Sequence, residues 1–155
     1  MTDIYELSIN LNLQDRLSDG EVAELRWHLG LGPKPESLGI VPAFPTVAED
    51  DQGEPAEDDP APLLGQHGQA WKVDGALVSV LLPPEGSDRT WALTVRQEIH
   101  PDEFDRTGEL LSWLATKADD RHRAPTSTVR LGWIRFYESD KFEPLVVREG
   151  EVVWP

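Results

Sequence analysis

The stretch that decides the fold is residues 4–33, IYELSINLNLQDRLSDGEVAELRWHLGLGP. Its first ten residues alternate. Tyr5, Leu7, Ile9, Leu11 and Leu13 share one side, and Glu6, Ser8, Asn10 and Asn12 share the other. Period two with one polar side is the pattern of a strand buried on a single face. The period then changes. Ser18 followed by Glu21 is a capping box, and Leu17 with Val22 makes the matching hydrophobic staple. Val22, Leu25 and Leu29 mark a helical stripe, widened by Ala23 and Trp27, before Gly30, Gly32 and Pro33 stop the helix.

Beyond residue 70 the same two periods return. WKVDGALVSVLL (71–82) predicts a strand, PPEGSD (83–88) a turn, and RTWALTVRQEI (89–99) a second strand. In the latter, Trp91, Leu93, Val95 and Ile99 face the core, with Thr90, Thr94, Arg96 and Glu98 outward. His100-Pro101-Asp102-Glu103 opens a second helix, with Pro at its first position and acids in its first turn. Phe104, Leu111, Leu114 and Ala118 form its stripe; Gly108 in mid-helix costs stability unless close packing requires it. STVRLGWIRFYE (127–138) is a strand, and LVVR and EVVW, joined at Glu149-Gly150, make a C-terminal β-hairpin. The order β-α-loop-β-β-α-β plus hairpin is the split β-α-β, ferredoxin-like α+β pattern, a two-layer arrangement with both helices on one sheet face. At 155 residues the expectation is a single domain over 1–155, able to bury about 70% of its unfolded surface.

Residues 33–70 differ in character. Seven of the thirteen prolines fall between 33 and 62, together with the acidic run AEDDQGEPAEDDPAP (48–62). The expectation is an irregular insertion pinned to the body by LGIVPAF and PLLG. The run holds seven carboxylates, and removing them from the net charge of −15 leaves −8, so the whole chain is acidic. Phosphate backbones repel such a surface, which excludes nucleic acid as an expected partner. A chain without cysteine has no disulfide, thiolate nucleophile or Cys-ligated metal, and this fits a reducing cytoplasm. The N-terminal MTDIYELSIN has no basic-then-apolar signal pattern, and no run approaches the length of a membrane span, so a membrane partner is not expected.

No motif fixes a chemistry, and neither a catalytic residue, a cofactor nor a metal is expected. The acid doublets Asp50-Asp51 and Asp58-Asp59, interrupted by Pro55 and Pro60, fit no register of a calcium loop. His100, Asp102 and His122 include the His-x-Asp half of an iron triad, but His100 reads as a helix cap and His122 as a surface residue. DDRHR (119–123) complements the macrodipole at the end of the second helix. In the last long strand Val129, Leu131 and Trp133 fall on one side and Ile134 and Phe136 on the other, which predicts a cover from 33–70 or a second subunit. Trp27, Trp91 and Trp133 read as core, leaving Trp71 and Trp154 to meet a partner.

The leading functional expectation is a non-enzymatic interaction protein that binds a basic protein, in the manner of an immunity or inhibitor protein, through Glu49, Asp50, Asp51, Glu57, Asp58 and Asp59. The alternative is an enzyme or sensor for a small polar molecule on the uncovered sheet face, using Asn10, His67, Arg96, Glu98 and His100. A third reading makes the C-terminal hairpin the contact of a homodimer.

Overall fold

The computed structural model describes residues 3–42, 47–49, 55–57, 60–86 and 89–155. It is an α+β structure in which two helices accompany one eight-stranded antiparallel sheet. The strands are β1 (Tyr5–Gln14), β4 (Gly68–Gln69), β5 (Ala76–Leu82), β6 (Thr90–Ile99), β7 (Arg123–Ala124), β8 (Thr128–Phe136), β9 (Glu143–Arg148) and β10 (Glu151–Val152). Their order is β10-β9-β8-β1-β6-β5-β4, with β7 also on β8. Two further short strands, β2 (Val47–Glu49) and β3 (Pro55–Glu57), pair with each other as a separate two-stranded sheet among the described residues. The expectation of an irregular 33–70 is corrected there and at Gly68–Gln69, which pairs with the start of β5. The WKVDG piece is corrected in the opposite sense, being loop, with the strand starting at Ala76.

Strand β1 occupies the centre because one side of it is apolar throughout. Leu7, Ile9, Leu11 and Leu13 are all at most 2% exposed, each contributing about 1.5–3 kcal/mol by leaving water. They pack with Leu93, Val95 and Ile99 of β6 and Val129, Leu131 and Ile134 of β8 in one cluster. Helix α1 (Asp19–His28) brings Leu25 and its C-cap Leu29 to that cluster, and α2 (Phe104–Lys117) brings Leu110, Leu111 and Leu114. Both helices therefore cover the same face.

The capping box of α1 is formed. The Ser18 hydroxyl accepts from Glu21 N–H, and Ser18 N–H donates to Glu21 Oε1 at 2.9 Å, which holds the Glu21 carboxyl below its ordinary range. At the other end Gly30, at φ +71°, donates to Trp27 O while Leu31 N–H reaches Arg26 O, a Schellman closure. A Cβ at Gly30 would also stand 2.9 Å from the Gly65 carbonyl oxygen. The buried stripe differs from the expected one in that Ala23 is exposed and Glu24 and His28 are buried. The insertion lies on that side of the helix, as Leu64 N–H bonds His28 O and Val41 is fully buried.

The parity break in β8 has a different origin from the one expected. A β-bulge between Arg130 and Gly132 adds one residue, so Val129 and Leu131 before it and Ile134 and Phe136 after it share the core face. Trp133, expected in the core, is instead turned outward and 37% exposed. No cover is needed to explain the pattern. Gly132 is required at this place, since a Cβ would collide with the Ser8 carbonyl of β1 and lie 2.9 Å from Ile9 Cα.

The C-terminal hairpin turns through Glu149 and Gly150, both at positive φ, and extends the sheet while packing back on α2. Trp154 stacks on Phe104 with ring centroids 4.0 Å apart and planes at 2°, over the gap left by Gly108. Trp154 is thus engaged within the chain, whereas Trp71 is 66% exposed. No helix of the described residues is long and apolar enough to cross a membrane.

Candidate functional site: the uncovered sheet face

The even-numbered residues of β1 and β6 point away from the helices. Cross-strand register brings Glu6 opposite Glu98, Ser8 opposite Arg96, and Asn10 opposite Thr94. On β8, Arg135 lies beside Glu6 and Trp133 beside Ser8. Two carboxylates side by side repel each other, yet Glu6 is only 4% and Glu98 7% exposed. Each is neutralised separately.

Glu6 sits between two guanidinium groups. Arg96 Nε donates to its Oε2 at 2.8 Å, and Arg135 Nη2 donates to its Oε1 at 2.8 Å. Arg135 Nε also donates to Glu6 Oε1 at 3.2 Å, and the other terminal nitrogens of both arginines reach backbone. Arg96 reaches the carbonyls of Asp74 and Ala76, at 2.6 and 2.9 Å, and Arg135 those of Tyr137 and Ser139. A buried charge pair of this kind is tolerated because every partner is satisfied. Glu98 is held by backbone alone, accepting from the amides of Trp71, Lys72 and Val73 at 2.7, 2.6 and 3.0 Å. Loop 70–75 is thereby fastened over the Glu6–Glu98 end of the face, and the rest of the face is open.

The small-molecule residues expected from sequence are therefore mostly committed to the fold. Arg96 and Glu98 hold that loop. His67 Nε2 donates to Leu29 O at 2.9 Å, pinning the insertion to the end of α1. His100 caps the turn Pro101–Glu103, its Nδ1 accepting from Asp102 N–H at 3.1 Å. Asn10 alone of the five stays exposed on the open face. His122 lies at the opposite end of the sheet from His100, where its Nε2 accepts the Asn12 amide at 3.0 Å. Burial, with Arg121 beside it, lowers the His122 pKa. The iron-triad residues are not brought together, and the described residues contain no group of metal-ligating side chains. Arg123 closes the C-terminus of α2 by donating to the carbonyls of Ala115, Thr116 and Ala118, the macrodipole role expected of DDRHR.

Of the acidic partner-binding candidates, Asp50, Asp51, Asp58 and Asp59 lie outside the described residues, and Glu49 and Glu57 belong to β2 and β3. A second acidic feature was not expected. Asp105, Glu109 and Glu151 line a 610 Å³ cleft between α2 and the hairpin, beside the Phe104–Trp154 stack. Only the pairing of hairpin with helix assembles it, so no local pattern announces it.

Buried polar groups also escaped sequence reading, among them Glu24, His28 and Gln97. Glu24, 1% exposed, accepts the amides of Ile40 and Val41, both at 2.8 Å, and the Nε2 proton of His28 at 3.1 Å. Burial lowers the His28 pKa against the opposing pull of Glu24, and His28 Nδ1 has no hydrogen-bond partner among the described residues. Gln97 mimics a strand neighbour, accepting from Gln66 N–H and donating to Gln66 O, each at 2.8 Å. Glu24, Gln97 and Glu98 each bond the backbone of residues 37–75, and that is their evident task. Compared with known protein families, characterised proteins and solved structures, the chain matches none.

Proposed function

We propose that this chain is a non-enzymatic cytosolic interaction module on a ferredoxin-like two-layer fold, and that it binds a basic protein through its acidic exterior. The central antiparallel order β8-β1-β6-β5, reached through the crossovers α1 and α2, supports the fold reading. One observation carries the functional reading. Several of the positive side chains are turned onto the chain's own carbonyls and carboxylates, while acids outnumber cations two to one and include almost fully exposed ones.

Arg96, Arg135 and Arg123 spend their donors internally, and Lys117 pairs with Glu21 at 3.3 Å. Asp102 and Asp120, beside His100 and Arg123, keep their side chains 90% and 94% exposed. With 29 acids against 14 Lys and Arg, the net charge is −15. Such a surface steers a basic protein into encounter and rejects acidic ones. The cleft between α2 and the hairpin offers carboxylates beside an aromatic stack, which suits an arginine or lysine side chain. The small-molecule alternative is weakened by the same geometry, because Arg96, Glu98, His67 and His100 are already bonded within the fold.

The test is affinity capture from native lysate, beside a variant with the seven acids of 48–62 changed to Asn or Gln. A stoichiometric basic protein, retained at low salt, released by high salt and lost from the variant, supports the reading. Retention of no protein, or retention indifferent to both salt and the substitutions, overturns it.

A further inference from the structure

We propose that the open part of the uncovered sheet face docks a second copy of this chain, forming a weak two-fold dimer. The face is chemically unlike the rest of the surface. The chain carries −15, yet the outward side chains of β5, β6, β1, β8 and β9 include two carboxylates only, Glu6 and Glu98, both buried and bonded. The apolar groups the face exposes are a row on β5, Val78, Val80 and Leu82, at 38%, 38% and 56%, and Trp133 on β8 at 37%. Uncharged Asn10 and Thr94 lie between them.

Charge selects the occupant. A basic partner finds no exposed carboxylate on this face, and meets the exposed Arg130, stacked 4.1 Å from the Trp133 ring centroid. Two copies repel each other wherever their acids meet, and on this face no exposed acid meets another; the like charge that does meet is Arg130 with its counterpart, each laid over a Trp133 ring.

The wall at one end selects the symmetry. Loop 70–75, fastened by Glu98 and Arg96, rises beyond the row containing Val78, Arg96, Ser8 and Trp133. A two-fold axis running along the strands would set the two walls against each other. An axis running across the strands, through the row of Val80, Thr94 and Asn10, puts them at opposite ends. In that arrangement Val80 meets its own counterpart, and Val78 meets the Leu82 of the second copy. The contact is isologous and apolar rows fall on apolar rows.

Size makes the dimer weak. Five strands roughly 4.8 Å apart and three outward rows give a patch of roughly 24 by 20 Å, or roughly 500 Å² per copy. The total of roughly 1,000 Å² is near the lower limit for a specific interface.

Sedimentation equilibrium of the full chain tests this, with a dimer expected to dissociate at concentrations on the order of 100 µM. Val80→Glu is expected to raise the dissociation constant at least tenfold while leaving the far-ultraviolet spectrum and thermal midpoint unchanged. Because the chain has no cysteine, Val80→Cys gives a single, nearly isosteric probe. A short bis-maleimide should link it into dimers, and should not link the helix-side control Thr116→Cys. A chain that stays monomeric at that concentration, a dimer indifferent to Val80→Glu, or equal cross-linking of the two cysteine variants overturns the proposal.

Discussion

Replacing Glu98 by Ala removes the single acceptor of three consecutive amides. The loss can be worked from their surroundings. The amide of Val73 is buried, with Val73 itself 8% exposed, and leaving it unpaired costs about 1–3 kcal/mol. Trp71 and Lys72 are exposed, so their amides find water and each lost bond counts for about 0.5–1.5 kcal/mol. Removing the carboxylate also relieves the repulsion from Glu6 across the register. Together these effects leave a net destabilisation of about 2–5 kcal/mol. It should be seen as a lower urea midpoint with little change in slope. Hydrogen exchange should place it, with the amides of Trp71, Lys72 and Val73 losing protection under conditions where Leu7, Ile9, Leu93 and Val95 keep theirs. A variant within about 0.5 kcal/mol of wild type, with those three amides exchanging as before, would refute the reasoning. Glu98 would then be free for a ligand, and the small-molecule reading would regain its best residue.

Three other outcomes are expected. Gly132→Ala forces a methyl group onto the Ser8 carbonyl, so β1 and β8 must part locally, and chemical denaturation should show a loss of about 3 kcal/mol or more. Gly108→Ala should stabilise α2 by about 0.5–1 kcal/mol, because the new Cβ would make ordinary contact with Trp154 at 3.5 Å; a lower thermal midpoint would contradict this. His28 and His122 should both titrate below 6.5 in an NMR pH series, since burial lowers each. The sign follows from that direction. A depressed folded pKa gives stability that is present above the unfolded value and lost as pH falls from 6.5 through the folded one. His122→Gln should therefore flatten the stability profile below pH 6.5, and an unchanged slope there would contradict the assignment.

Much of the fold was legible because its signals are local. The alternation of Tyr5 to Leu13 names a strand and its buried side, and Ser18, Glu21 and Gly30 name both ends of α1. The rest depends on contacts distant in sequence. Alternation places Glu6 and Glu98 on the outer side of the sheet, but it cannot say that Arg96, Arg135 and a loop will bury them there. The bulge at Arg130–Gly132 produces the same string as a strand apolar on both faces, and only the register against β1 and β9 separates the two. Glu24 and His28 look like surface positions until the insertion folds over them. The candidate site was least legible for the same reason, since the cleft and the open face are each made by elements far apart in the chain.

The central claim is that acids outside the sheet face do the binding. Hydrogen exchange of the chain alone and in complex with its captured basic partner tests it most directly. Protection is expected in the acidic segment 48–62 and at the cleft formed by Asp105, Glu109 and Glu151. Protection confined to β1, β5 and β6, with both acidic regions unchanged, would contradict it.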